Sequence, residues 1–199
     1  SPKYGSACTN PRITEYAEVL NRQSERLKRL IDDLVEASKA STGNLEVNLT
    51  PCDVSVMLAQ AEGEYRRRLE DSGLELVLHE VKSDTPLRIL ADGRRLWRVF
   101  DNLLSNACKY AQSGTRVYLT LEKIGNEAVI SFKNISRASL ELAPEELMER
   151  FVRGDKSRTT EGNGLGLSIA QSLTELQGGT LGLSIDGDLF KVVLKFPLI

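Results

Sequence analysis

Four polar side chains whose types could bind a metal-bound nucleotide are spaced along a predicted helix between Arg98 and Ala111. They are Asn102, Asn106, Lys109 and Tyr110. At about 100° per helical residue, all four lie within an arc of about 100°. Amide oxygens can ligate a hard cation, an ammonium can contact phosphate, and an aromatic ring can lie against a base. The spacing therefore indicates a nucleotide site, with an ordinary polar helix surface as the alternative.

The opposite side of this helix is apolar and predicts that the helix is anchored in a hydrophobic core. Its apolar positions are Leu96, Phe100, Leu103, Leu104 and Ala107. A solvated helix face normally carries mixed charges, whereas the face opposite this stripe carries two amides, one ammonium and one phenol.

A glycine-rich loop, residues 161–167, precedes and opens another predicted helix. Gly162, Gly164 and Gly166 alternate with other residues, so backbone N–H groups could approach an anion closely at the positive end of a helix. The loop lacks the G-K-[S/T] of a P-loop and does not follow the first strand of a βαβ unit. A phosphate-binding loop in a different fold is therefore predicted, with a simple turn as the alternative.

Length and composition exclude several classes of protein. The chain has 199 residues, 41% of them hydrophobic, and a net charge of −2, which is enough for one domain with a shorter element and gives no basic field for nucleic acid. Cys8, Cys52 and Cys108 are widely spaced and predict neither a disulfide framework nor a zinc site. No segment has the length of a membrane span or the pattern of a signal peptide. We expect a cytoplasmic chain whose residues 1–10 are disordered or vector-derived.

Residues 11–42 predict one long helix with a coiled-coil-like seam. Apolar residues recur at alternating steps of three and four, as in an a/d seam. The seam positions are Ile13, Tyr16, Leu20, Gln23, Leu27, Leu30, Leu34 and Ala37. Because the other faces are charged, this helix should pack on a partner helix, most simply in a homodimer.

Residues 43–199 predict one α+β domain in which a mixed sheet packs against helices. Helices are expected at 53–71, 98–111, 144–151 and 164–176, and strands at 45–49, 74–78, 88–90, 116–123, 128–133, 180–185 and 189–196. Because helices and strands do not alternate strictly, a doubly wound parallel sheet is disfavoured.

The order of these motifs resembles the catalytic ATP-binding domain of sensor histidine kinases. Residues 98–110 resemble the N box of that family, 149–154 its F box, 162–167 its second glycine box, and 177–179 a further glycine motif. Residues 11–42 are similar to the second helix of the dimerisation and phosphotransfer hairpin. The resemblance implies a two-layer α+β sandwich, the Bergerat ATP-binding fold.

The resemblance also implies a Mg²⁺-ATP site. Asn106, with Asn102, would ligate Mg²⁺, Lys109 would contact phosphate, and residues 153–163 would form a mobile lid. The implied ATP-binding residues are Asn102, Asn106, Lys109, Tyr110, Asn134, Phe151, Arg153, Gly162, Gly164, Leu165, Gly166 and Leu167. The implied partners are ATP, a response-regulator receiver domain and a second copy of the chain.

One motif departs from the family pattern. The first glycine box usually reads D-x-G-x-G, and its aspartate accepts from the adenine amino group, whereas residues 134–138 read N-I-S-R-A. Asn134 can still accept through its amide oxygen but without the charge-assisted part of the bond. ATP binding weaker by about 1 kcal/mol is therefore expected.

A second departure concerns the phosphoacceptor. The single histidine, His79, lies in a predicted strand without the H-E/D-x-x-T/N-P context of the family. We therefore expect a fragment that binds ATP but does not autophosphorylate and contains no catalytic residue of its own. Such fragments usually belong to the cytoplasmic part of a membrane-anchored sensor.

Four alternatives remain open at this stage. A pseudo-kinase would have lost nucleotide binding, and a clamp ATPase related to DNA gyrase would need a glutamate where Asn102 stands. An anti-sigma-type serine kinase shares the nucleotide fold but not the long seam helix. A dimerisation and interaction module would use residues 13–37 alone.

Overall fold

The computed structural model describes residues 11–80, 85–138 and 166–199. Within these ranges lie four helices, α1 (Pro11–Ser41), α2 (Val54–Asp71), α3 (Gly93–Tyr110) and α4 (Gly166–Leu176). The same ranges contain the strands β1 (Thr50–Asp53), β2 (Glu75–Glu80), β3 (Arg88–Ala91), β4 (Arg116–Ile124), β5 (Glu127–Ile135), β6 (Thr180–Asp186) and β7 (Leu189–Pro197).

Five of the strands form one mixed sheet in the order β2-β4-β5-β7-β6. Strand β2 runs parallel to β4, and the other neighbours are antiparallel. Tight turns join two of the three antiparallel pairs: Gly125, at φ 60°, lies between β4 and β5, and Gly187, at φ 57°, lies between β6 and β7. Glycine tolerates this left-handed conformation, which two-residue hairpin turns require.

Helices α2, α3 and α4 pack against one face of this sheet. The core combines the apolar stripes of the helices with alternate residues of the strands, including Leu58, Phe100, Leu119, Ile130 and Phe196, each with 0% of its surface exposed. This arrangement agrees with the predicted two-layer α+β architecture, and it leaves the far face of the sheet uncovered by helices of the described chain.

Helices α3 and α4 are held antiparallel by a polar connection at one end. Asp92 caps α3, since its Oδ1 accepts from the backbone N–H groups of Arg94 (3.0 Å) and Arg95 (3.3 Å). Gln177, which directly follows α4, accepts through Oε1 from the backbone N–H of Asp92 at 2.9 Å and donates through Nε2 to Leu173 O at 2.8 Å. The end of α4 is therefore tied to the beginning of α3.

Helix α1 is joined to the domain by an ion-pair cluster. The carboxylate of Glu36 accepts from Arg95 Nη1 at 2.8 Å and from Arg98 Nε at 3.2 Å, both on α3. The side chain of Glu36 is 16% exposed, so these bonds are less screened by solvent than ordinary surface pairs. Helix α1 also contacts α4.

Five apolar residues of the predicted seam of α1 are exposed in the described part of the chain. Ile13, Tyr16, Leu20, Leu27 and Leu34 are between 58% and 70% exposed. The exposed stripe fits the predicted partner helix, whereas the homodimer itself stays a prediction. None of the helices in the described ranges is both long and apolar enough to span a lipid bilayer.

Most of the predicted elements appear at the expected places, with one error. The helix predicted after Asp53 is α2, and Asp53 caps it by accepting from Ser55 N at 3.0 Å. The strand predicted at 45–49 is wrong: the strand lies at Thr50–Asp53, where Cys52 is paired with Ile89 of β3. The helix predicted at 144–151 and the lid at 153–163 lie outside the described residues.

Asp92 should stabilise the fold more strongly when its side chain is ionised. Burial by itself raises the pKa of Asp92, but the backbone N–H groups of Asn48, Arg95 and Arg94 outweigh burial and lower the pKa below its usual value. Stabilisation by the carboxylate is therefore complete above the pKa of the unfolded chain, about 4, and is lost as the pH falls through the lower pKa of the folded state.

We predict that Asp92→Ala lowers the free energy of unfolding by about 1 kcal/mol at pH 7 and by less at pH 3. Urea denaturation at the two pH values measures this difference. Asp92→Asn is the matched control, because asparagine also caps helices but does not titrate. An equal loss for Asp92→Ala at both pH values would contradict a contribution from the ionised carboxylate.

Candidate nucleotide-binding site

Two amide groups of α3 converge on the first residue of α4. If Gly166 carried a Cβ atom, that atom would lie 3.6 Å from Oδ1 of Asn102 and 3.6 Å from Oδ1 of Asn106. A glycine at this position therefore leaves open a space that both amide oxygens border. The antiparallel packing of α3 and α4 produces this arrangement, because the beginning of α4 faces the C-terminal half of α3.

Asn102 is the more buried of the two amides, and part of it is unpaired. The residue is 7% exposed, and its Nδ2 has no hydrogen-bond partner in the described part of the chain. A buried donor without a partner costs about 1–3 kcal/mol. The Oδ1 of the same amide borders the space at Gly166, so this side chain combines a candidate acceptor at the space with a donor that has no partner.

The residues at this space fit a magnesium ion together with phosphate. Amide oxygens are acceptable ligands for Mg²⁺, which is usually held by a few protein oxygens together with phosphate oxygens of its substrate. The beginning of α4 lies beside the same oxygens, and the N-terminal end of a helix carries a partial positive charge that favours anions. Within the ranges that the structure describes, no group of three His, Cys, Asp or Glu side chains could hold a metal instead.

Lys109 and Tyr110 occupy the last turn of α3, beyond the two asparagines. Lys109 is exposed, and Tyr110 is partly buried. Burial raises the pKa of the Tyr110 phenol, so this ring is neutral at physiological pH. A mobile ammonium followed by a half-covered ring suits the phosphate and base ends of a nucleotide, respectively.

Asn134 lies near the end of β5, on the face of the sheet that supports the helices. It is 9% exposed and follows Phe132, whose ring contacts Phe100 of α3 edge to face at 5.5 Å. Side chains two apart in a strand share a face. Asn134 is therefore a buried polar group on the helix side, near the end of the strand that adjoins the end of α3.

The remaining predicted site residues divide into two groups. Leu167 is 0% exposed in the core and supports α4 through packing. Phe151, Arg153, Gly162, Gly164 and Leu165 lie outside the described residues. The structure thus brings Asn102, Asn106 and Gly166 together, with Lys109 and Tyr110 one to two turns further along α3.

Three residues whose hydrogen bonds join elements around this site were not predicted as site residues. Asp92 directly precedes a helix, which is a recognisable capping signal. Gln177 was noticed only as part of a glycine motif, and Arg137 only as part of the altered glycine box. Their hydrogen bonds join residues that are 85 and 28 positions apart, respectively, so no local pattern could reveal them.

The carboxylate of Asp101, beside the site, is engaged in bonds to other side chains. Asp101, next to Asn102, accepts a short hydrogen bond from the hydroxyl of Tyr65 on α2. Its Oδ2 also forms an ion pair with Nη1 of Arg98 at 3.5 Å. Burial, followed by the bond to Asp101, raises the pKa of Tyr65. This carboxylate therefore joins α2 to α3.

Comparisons with known proteins show the family to which this chain belongs. The model of a family described as histidine kinase-, DNA gyrase B-, and HSP90-like ATPase matches residues 91–198. The chain is 30% identical over 183 residues to the sensor-like histidine kinase SenX3 of Mycobacterium tuberculosis. That match covers 88% of this chain and 43% of SenX3, so the chain spans less than half the length of this relative.

Solved structures of histidine kinases share the fold. Full-length ShkA in complex with AMPPNP is similar with a TM-score of 0.77 and 25% identity, over 99% of this chain and 40% of ShkA. The histidine kinase ThkA in complex with the response regulator protein TrrA is similar with a TM-score of 0.71 and 18% identity, over 98% of this chain and 53% of ThkA. The predicted α+β ATP-binding fold is confirmed.

The unpaired amide predicts that Asn102 is kept for binding at a cost in stability. We expect Asn102→Leu to leave the free energy of unfolding unchanged or to raise it by up to about 1 kcal/mol, since it removes a buried donor without a partner. The same substitution should abolish magnesium-dependent binding of an ATP analogue. Denaturation and titration calorimetry on the same preparation measure both effects.

Thr174→Val is the matched control for this prediction. Thr174 is also buried, but its hydroxyl donates to Ala170 O at 2.7 Å. We expect this change to cost about 1 kcal/mol of stability and to leave nucleotide affinity unaltered. A loss of more than about 2 kcal/mol in Asn102→Leu would mean that the amide is satisfied in the folded protein.

Proposed function

We propose, because the chain belongs to the histidine kinase-, DNA gyrase B- and HSP90-like ATPase family, that it is the phosphoryl-donor part of a two-component sensor histidine kinase. In this role the chain binds Mg²⁺-ATP and presents the γ-phosphoryl group to a histidine on a phosphotransfer helix. The site at α3 and α4 is the donor site, and the chain supplies no phosphoacceptor residue.

One observation carries this proposal: the Oδ1 atoms of Asn102 and Asn106 both border the space left by Gly166 at the beginning of α4. Metal-ligating oxygens and phosphate-binding N–H groups thus meet at one place. Phosphoryl transfer requires mainly positioning and neutralisation of charge, and such an arrangement serves both.

Each residue has a role that follows from its position. Asn106 and Asn102 hold the metal ion, which when bound neutralises phosphate charge. Lys109 contacts phosphate oxygens, and the N-terminus of α4 donates backbone N–H groups to them. Tyr110 lies against the nucleotide, and Asn134 accepts from the base.

The polar groups at the site favour transfer to an external acceptor over hydrolysis of ATP. Asn102, as an amide, cannot remove a proton from water. Asp101 could act as a base chemically, but its carboxylate is bonded to Tyr65 and Arg98. Bound ATP should therefore persist until an acceptor histidine arrives, as a kinase requires.

The rest of the signalling assembly follows from the same proposal. Helix α1 pairs with a second copy of the chain through its exposed seam and forms part of the dimerisation hairpin. The phosphoryl group passes from the histidine to the receiver domain of a response regulator, in the manner suggested by the ThkA complex with TrrA. The chain acts as the cytoplasmic part of a membrane-anchored sensor.

Magnesium-dependent binding of a non-hydrolysable ATP analogue tests the donor site. We predict that Asn106→Ala weakens this binding at least about tenfold and removes its dependence on magnesium. Asn126→Ala is the matched control, because Asn126 lies in the exposed turn between β4 and β5. Equal affinity of the chain and Asn106→Ala would contradict the metal site.

Phosphate release under saturating ATP separates a kinase from a clamp ATPase. The chain should bind ATP without sustained release of phosphate. When a protein that carries a phosphotransfer helix is added, the γ-phosphoryl group should be transferred to the histidine of that helix. Steady turnover of ATP without an acceptor would indicate a clamp ATPase and would contradict the proposed kinase function.

A further inference from the structure

Arg137 bonds to two successive backbone carbonyls at the end of α3. Its guanidinium Nη2 donates to the carbonyl oxygen of Lys109 at 2.8 Å. Its backbone N–H donates to the carbonyl oxygen of Tyr110 at 2.9 Å. These are the last two residues of the helix, and both carry side chains assigned above to the nucleotide.

Carbonyls at the end of a helix have no partners within the helix and carry its partial negative charge. A guanidinium at this end is therefore bound by both a charge-assisted hydrogen bond and the helix dipole. Because the bond is made to the backbone of Lys109, it restrains the point from which the lysine side chain extends.

The backbone that carries Arg137 is itself fixed. Ser136 N donates to Asp188 O at 2.7 Å, and Gln112 N donates to Ile135 O at 2.8 Å. Ala111 and Ser136 form an antiparallel bridge. The guanidinium thus extends from a segment that is bonded both to the β6–β7 turn and to the residues after α3.

We propose that Arg137 is a positioning residue that holds Lys109 in place for the phosphates of the nucleotide. The inference rests on the proposed function, because Lys109 must contact phosphate for its placement to matter. Arg137 acts through the backbone of Lys109 and does not itself touch the ligand. The segment that departs from the D-x-G-x-G pattern thereby acquires a role in organising the site.

Arg137 is exposed, so its side chain can be replaced without opening the core. Arg137→Ala removes the bond to Lys109 and keeps the backbone bond to Tyr110. Arg137→Lys keeps a positive donor and should restore most of the affinity. Arg116→Ala is a matched control. Arg116 is an exposed arginine at the start of β4, and its Nε lies 3.0 Å from Oε2 of Glu75 on β2.

A double-mutant cycle on the whole chain tests the proposal. Dissociation constants for a magnesium-bound, non-hydrolysable ATP analogue are measured for Arg137→Ala, Lys109→Ala and the double variant. We expect Arg137→Ala to weaken binding about fivefold. The double variant should bind no more weakly than Lys109→Ala alone, because the arginine acts through the lysine. Adenosine, which lacks phosphates, should bind equally to the chain and to Arg137→Ala.

The possible results separate the positioning role from the proposed function. If the unaltered chain binds the analogue but Arg137→Ala binds it equally well, the positioning role is wrong and the donor site stands. Multiplicative losses in the double variant would show that Arg137 acts independently of Lys109, which also overturns the role. If the unaltered chain binds no ATP analogue, the proposed function fails, and the positioning role fails with it.

Discussion

The antiparallel contact between α3 and α4 determines where the described candidate binding groups lie. At one end, Gln177 and Asp92 tie the end of α4 to the beginning of α3. At the other end, Gly166 places the beginning of α4 beside Asn102 and Asn106. Because one pair of helices carries both the candidate metal ligands and the beginning of α4, we expect a displacement at the Gln177 end to be transmitted to the Gly166 end.

Helix α3 connects the main parts of the described structure. Glu36 joins it to α1 through two arginines, Asp101 joins it to Tyr65 of α2, and Arg137 joins its end to the segment after β5. These bonds lie on both sides of the asparagines. A movement of α1 would therefore reach the candidate nucleotide site through charged bonds to α3, the helix that carries it.

Local signals in the sequence predicted most of the fold, whereas contacts between distant residues were not predictable. The faces of α3 and the cap at Asp53 follow from helical periodicity and side-chain chemistry within a few residues. The strand expected at 45–49 was misplaced because pairing with β3 selects Thr50–Asp53. Asn102 was expected on an open polar face with Asn106, and instead it is 7% exposed, because α4 packs there. Helical spacing singled out the asparagines and the family resemblance gave them a role, but neither Gln177 nor Arg137 had a local signature.

A crystal structure of the chain with magnesium and a non-hydrolysable ATP analogue tests the central claim most directly. We expect Mg²⁺ to lie about 2.1 Å from Oδ1 of Asn106, with phosphate oxygens at the N-terminus of α4. We also expect Nδ2 of Asn102 to donate a hydrogen bond to an oxygen of the ligand. A nucleotide bound away from Gly166, or a metal ion coordinated by neither asparagine, would contradict the claim that α3 and α4 form the donor site.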